Sequence, residues 1–444
     1  MFGLVGLGGS RITMRSFFRF IRRVLGYASL LALMLFLLQY STVPLGLQWN
    51  AISAIISPYQ FDYVKWELDA LAVKVDETLY GVHPFMAEAD RVQYVRDYMA
   101  ELQRAETVEA QIAAAFADPQ VSDPASVTKF YRADRDRLRA DLATKQALVE
   151  AILEGQVAAV LVQQKFGMLG QLLPPISAHF TQVPNLLVAS PRDQIRFDVS
   201  INLNPMTIDE IVNLENQIDT SQNVSSLIVP LGGIALYPAM VLETASIPYA
   251  LDTISHEWLH HYLFAYPLGL QYFNGDSFVG ETRIINETTA SLFGHEISRL
   301  VLERYYPDLL PPEALPTTSD IPQPPASPPQ FDFGKEMDIT RRHVDELLAA
   351  GKEDEAESYM EMRRRLFVAN GYGIRKLNQA YFAFYGGYQA GETAGAAGAD
   401  PIGPAVQAIR DASPSIHDWI VTMRGITRRD ELLAAEDKIS QMQP

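Results

Sequence analysis

Residues Thr253 to Phe264 read TISHEWLHHYLF, and within them His256-Glu257-Trp258-Leu259-His260 forms an H-E-x-x-H pentad. On a helix, positions i and i+4 lie on one face, so both imidazoles can meet a single metal ion about 2 Å from each. Glu257, adjacent to the first histidine, can take a proton from a metal-activated water and pass it to a leaving amine. The flanks ALDTIS and HYLFAY are compatible with a helix, and Pro267 to Gly269 supply a stop. His261 adjoins the second ligand on the wrong face for the same metal and reads as a structural residue. Asp252 precedes His256 by one turn, where it can orient a ligand or serve a surface or capping role.

Zinc suits mixed imidazole–carboxylate ligation, and a catalytic zinc takes three protein ligands while keeping one position open. No histidine follows at the short spacing of H-E-x-x-H-x-x-G-x-x-H, because Leu270 and its neighbours are apolar. The third ligand is therefore expected to be a carboxylate, and GETRIINETTASLFGHEI (280–297) offers Glu281 and Glu287. Ala290, Ser291 and Gly294 share the face of Glu287 and would let its helix approach the first one closely. Glu281 sits at the expected helix start, where an acid also interacts favourably with the helix dipole. His295-Glu296 is not a second motif, since Arg299 stands where another histidine would be needed.

With Asn286-Glu287-Thr288-Thr289-Ala290 matching an N-E-x-x-A form, the chain resembles the gluzincin metallopeptidases over roughly residues 228 to 300. The resemblance implies a zincin-like catalytic core, a Zn2+ cofactor, peptide substrates and Glu287 as the third ligand. Glu281 has a His260 spacing close to that of the thermolysin-like members. Ser291 stands where those members carry an aspartate, and the Gly-Ala-Met-Glu-Asn segment of the membrane aminopeptidases is absent. GGIALYPAMVLE ends instead in Glu243, a candidate contact for a substrate amino terminus or simply an exposed acid at a strand end. In such a fold an upstream edge strand pairs with extended substrate, and Ser225 to Ala235 is the candidate. An oxyanion partner is also needed. Tyr381 is the candidate, sharing a helical face with Asn378 and Tyr385; packing in an aromatic core is its plainer role.

The chain has 444 residues, no cysteine and a net charge of −17, which excludes a cysteine peptidase and argues against a nucleic-acid partner. Five arginines lie in residues 1 to 23 with no acid among them, leaving 31 basic against 53 acidic side chains elsewhere. Val24 to Tyr40 follows without a charge, and the uncharged stretch runs on through Val43, long enough for a transmembrane helix. Arginines on one flank place the N-terminus in the cytoplasm and the bulk of the chain on the extracytoplasmic side.

The expected fold is α+β and mostly helical. Residues 1–45 form a basic tail and membrane anchor, and 46–182 a membrane-proximal helical region. Residues 183–306 form the metallopeptidase core, with strands in NLLVAS, IRFDVSINLN and SSLIVPLGGIALYPAMVLE. Residues 307–332 are a proline-rich linker, and 333–444 a C-terminal helical region. Within the last, helices are expected at Lys335 to Val368 and Ile374 to Tyr385, with Gly386 to Gly403 as a mobile connection. The expected function is hydrolysis of peptide bonds. Alternatives are zinc hydrolysis of a non-peptide amide, or a silent membrane-tethered scaffold binding partners through its proline-rich segment.

Overall fold

Apolar residues at helical spacing dominate the chain, and in the computed structural model most of it is helix, with small sheets inserted after the long helices. The structure describes residues 14–37, 48–80, 83–117, 121–168, 170–274, 280–310, 331–389 and 395–441. It separates into two units, Met1–Ala54 and Ile55–Pro444. In the first, Met14–Leu37 is one continuous helix. Its side chains Val24, Leu25, Tyr27, Leu30, Leu31, Leu33 and Met34 are exposed. The expected apolar span continues through 38–43, outside the described residues, as do 311–330 of the proline-rich linker.

The second unit is built around Glu88–Ala117 and Lys129–Gln163, long helices broken where Asp123 caps the next turn. Ion pairs Glu101–Lys145 and Glu109–Arg139 run in opposite register along them, so the two are antiparallel. Among the described residues Lys129–Gln163 is the one helix long and apolar enough to cross a membrane, yet half of that stretch is buried inside the fold. Leu153, Val157 and Leu161 join a core that also holds Trp258, Phe293 and Trp419. Residues from 46–182, 183–306 and 333–444 thus share one apolar interior. Its centre is a helix pair: the motif helix, Ile247–Leu263, packed along the glutamate helix, Glu281–Tyr305.

One antiparallel sheet has Asn185–Pro191 at its centre, with Val199–Leu203 and Val224–Pro230 on either side. Val224–Pro230 has its outer edge closed by side chains. Asp219 and Glu215 accept from the N–H groups of Ser226 and Ile228, while Asn378 and Arg375 donate to their carbonyls. The outward main-chain groups of Ser226 and Ile228 are thus already taken, so this part of the expected docking segment does not offer them to an incoming strand. The remainder, Gly233–Ile234, forms the outer strand of a second sheet, antiparallel to Ala239–Leu242, which runs parallel to Ala178–Thr181.

Three elements depart from expectation. Within the strand-rich region lies a helix, Ile208–Gln222, opened by a capping box between Thr207 and Glu210. The expected run from Lys335 to Val368 is two helices, Phe333–Ala349 and Glu353–Ala369, because Gly351 turns the chain with φ +70°. Ile374 to Tyr385 is helical only over Gln379–Tyr385, where the Asn378 side chain accepts from the Tyr381 N–H.

Candidate metal centre

The motif helix starts at Ser246, whose side chain accepts from the Tyr249 N–H, with Pro248 in the first turn. One face then carries His256 and His260, whose Nε2 atoms lie 3.0 Å apart. Glu287 on the neighbouring helix places Oε2 3.5 Å from His256 Nε2 and 3.7 Å from His260 Nε2. Two ligands bound tetrahedrally at 2.0–2.1 Å sit about 3.3 Å apart, so all three separations suit one ion of zinc's size. Among the described residues this is the only such cluster of three metal-ligating side chains.

Close helix contact makes the convergence possible. A Cβ on Gly294 would lie 3.0 Å from the Asp252 carbonyl oxygen and 3.2 Å from His256 Cβ, so glycine alone keeps this separation. Tyr272, from the short helix Pro267–Asn274, donates to Glu287 Oε1 at 2.6 Å and stacks on His260 with ring centroids 5.3 Å apart. That hydrogen bond fixes which carboxylate oxygen faces the histidines.

Electrostatics bind the three groups together. Burial opposes ionisation of Glu287, but hydrogen bonds to His256 and His260 and the charges of His260 and Arg283 hold its carboxyl well below the usual range. His256 is pushed up to about 9: desolvation works against it, outweighed by the Glu287 bond and the charges of Glu257, Glu287 and Asp252. The pocket therefore attracts positive charge. Glu257 is raised by burial, with the two histidines opposing.

Glu257 points along the outer strand. A Cβ on Gly233 would overlap Glu257 Oε1 and come within 2.8 Å of Thr253 Cγ2. A cavity of about 540 Å3 is lined by Gly233 to Leu236, His256, Glu257, His260, Tyr272, Arg283, Glu287 and Tyr388, a size typical of ligand sites. A second, of about 720 Å3, shares Leu231, Gly233, His256, Glu257 and Tyr388 and extends toward Tyr249, Asp252 and Ser291. The motif thus sits where the two cavities meet.

Other sequence candidates lie apart. Glu281 accepts from the Arg429 N–H at 2.9 Å, away from the histidines. Glu243 pairs with Arg139 at 2.6 Å. Tyr381 packs on Tyr385 with ring centroids 4.5 Å apart, in an aromatic cluster with Phe382 and Phe384, and is not brought to the motif. Asp252 bonds His295. His261 is lowered to about 4, chiefly by burial, and its ring packs edge-on against Tyr237 with centroids 5.5 Å apart, away from the metal-ligating face.

Tyr272, Arg283 and Tyr388 are the residues of this cavity that sequence spacing missed, while Gly233 falls within the expected edge segment Ser225 to Ala235. Tyr388 comes from the glycine-rich stretch expected to be mobile. Its described part is packed: the Gln389 N–H donates to Thr288 Oγ1 at 3.2 Å, and Gln389 Oε1 accepts from the Gly403 N–H at 2.6 Å. Residues 390–394 lie outside the described residues. Fold and site together define a mostly helical α+β chain with a buried His–His–Glu centre. Comparison with family models, curated proteins and solved structures gave no match.

Proposed function

We propose that this chain is a zinc-dependent peptidase of gluzincin-like design, held at a membrane by its N-terminal helix. The observation that carries the proposal is the convergence of His256, His260 and Glu287 on one point beside Glu257. A zinc ion held by these three side chains would supply Lewis acidity, polarising a peptide carbonyl and easing deprotonation of water. Glu257, buried with its carboxyl raised, accepts the water's proton and hands it to the leaving nitrogen.

The outer edge of Gly233–Ile234 suits an extended peptide added as a further strand, passing directly over Glu257. Tyr388 takes the oxyanion role expected of Tyr381. Burial first, then the nearby Glu287 charge, raise its phenol far above the usual value, so it stays protonated and donates. Cavities on both sides of the motif accommodate chain on both sides of a scissile bond. A retained Glu257 has no purpose in a silent scaffold.

The uncharged run from Val24 to Val43, preceded by arginines, supports one membrane crossing with the catalytic unit on the extracytoplasmic side. The test of the chemistry is Glu257→Gln, assayed with a quenched-fluorescent peptide library. Zinc content should remain near one per chain while turnover falls about 100- to 10,000-fold. Undiminished cleavage would remove Glu257 from the reaction.

A further inference from the structure

Arg283 occupies an unusual position for a buried cation. It lies one helical turn before Glu287, is 5% exposed, and lines the cavity shared by Glu257, His260 and Glu287. Arg139, Arg192, Arg375 and Arg410 all pair with carboxylates, but among the described residues no carboxylate pairs with Arg283. Aromatic faces hold its guanidinium instead: Phe197 at 4.4 Å, Tyr388 at 5.4 Å and Phe384 at 5.9 Å from the ring centroids. Gly387 backs it so closely that a Cβ there would overlap Nη1. Its charge also lowers the pKa of the neighbouring Tyr388 phenol, against the larger effect of burial, and the five-donor fork has no carboxylate partner among the described residues.

Charge counting gives this geometry a consequence. A divalent ion is balanced by Glu257 and Glu287, so Arg283 leaves the occupied site with one net positive charge. A buried charge of that kind calls for a partner. Cation–π contacts orient the fork without neutralising it, and a planar guanidinium matches a carboxylate bidentately.

We propose that Arg283 reads a carboxylate on the substrate, so that the preferred peptides carry an acidic side chain or a free C-terminus on the Tyr272 side of the scissile bond. This rests on the peptidase proposal above and narrows its substrate class.

The test uses the full-length chain carrying Glu257→Gln, loaded with zinc, so that peptides bind without being consumed. Binding is measured calorimetrically for two matched sets: blocked hexapeptides with Glu or Gln at each position in turn, and one neutral hexapeptide as its free acid or its amide. In one set or the other, the carboxylate member should bind about 10- to 100-fold more tightly, the range of a charged hydrogen bond. The set that discriminates tells a side chain from a C-terminus. Adding Arg283→Met should bring the ratio to about one at unchanged zinc content. Arg283→Lys, which keeps the charge and loses the fork, should retain part of it and serves if the methionine variant does not fold. Equal or undetectable binding of both members, or a preference that survives Arg283→Met, overturns the inference. Because binding is read without turnover, failure of the unsubstituted protein to cleave any peptide would sink the peptidase proposal separately.

Discussion

Gly233 determines how near the outer strand Gly233–Ile234 comes to Glu257, since any Cβ there would meet both Glu257 Oε1 and Thr253. Gly233→Ala must move the carboxylate or the strand. Turnover is expected to fall about 100-fold, the cost of an ångström-scale misplacement, with zinc still bound; steady-state kinetics beside metal analysis check this. Tyr272 acts on the opposite side, through Glu287. Tyr272→Phe deletes the 2.6 Å bond to Oε1, and zinc affinity should drop about 10- to 100-fold in a competitive chelator titration. Glu281→Gln should leave that affinity unchanged, because Glu281 holds the Arg429 main chain instead. His256, Glu257 and His260 were legible because helical geometry alone fixes their relation. Glu287 was legible through the resemblance of Asn286 to Ala290 to the gluzincin N-E-x-x-A form, together with the small residues on its face. Tyr272, Arg283 and Tyr388 were not, because each comes from a different element and only tertiary packing brings them to one cavity.

The relation between helices depends on a few contacts of this kind. Gly294→Ala would push the glutamate helix from the motif helix at the Asp252 carbonyl. A loss of about 1–3 kcal/mol is expected by overpacking, read as a lower denaturation midpoint. Further out, Glu150 on Lys129–Gln163 is buried and pairs at 2.8 Å with Lys74 from the helix Tyr63–Tyr80; His179 lies 3.1 Å away. Burial opposes ionisation of Glu150, but Lys74 and His179 outweigh it and lower its pKa. Its stabilising contribution is therefore present above the ordinary value near 4.5 and lost as pH falls through the folded value. Lys74→Met removes the main partner and should cost about 3–5 kcal/mol near neutral pH. With that partner gone, burial opposes ionisation of Glu150 with less to offset it, so the variant should gain stability on acidification from pH 7 toward 5, an interval in which the parent's Glu150 contribution stays constant. Thermal melts across that interval check the sign. At this scale the strands and long helices were legible from period and proline breaks. The helix Ile208–Gln222 carried a readable signal in Thr207 and Glu210, but its β-branched surroundings masked it. The glycine-rich stretch misled because its glycines serve close approach, as Gly387 does at Arg283.

Hydropathy alone does not single out which helix would cross a membrane. Lys129–Gln163 has the length and apolar character to cross a bilayer, but half of its apolar stretch lines the interior shared with the motif helix. Its hydrophobicity is therefore already used in folding. The helix Met14–Leu37 instead presents exposed apolar side chains and belongs to a separate unit ending at Ala54. Its first half also carries four of the five N-terminal arginines, Arg15, Arg19, Arg22 and Arg23, whereas the remaining sequence carries 31 basic against 53 acidic side chains. A bilayer is the surroundings in which such a helix costs least, and the acidic remainder is suited to water rather than to an anionic lipid surface. The full chain should accordingly stay with membranes through alkaline carbonate extraction. A chain beginning at Ile55 should be released to the soluble fraction while retaining one zinc per molecule. Release of the full chain by carbonate would rule out an integral anchor. Retention of the shortened chain would place membrane attachment on the exposed apolar residues of the second unit instead.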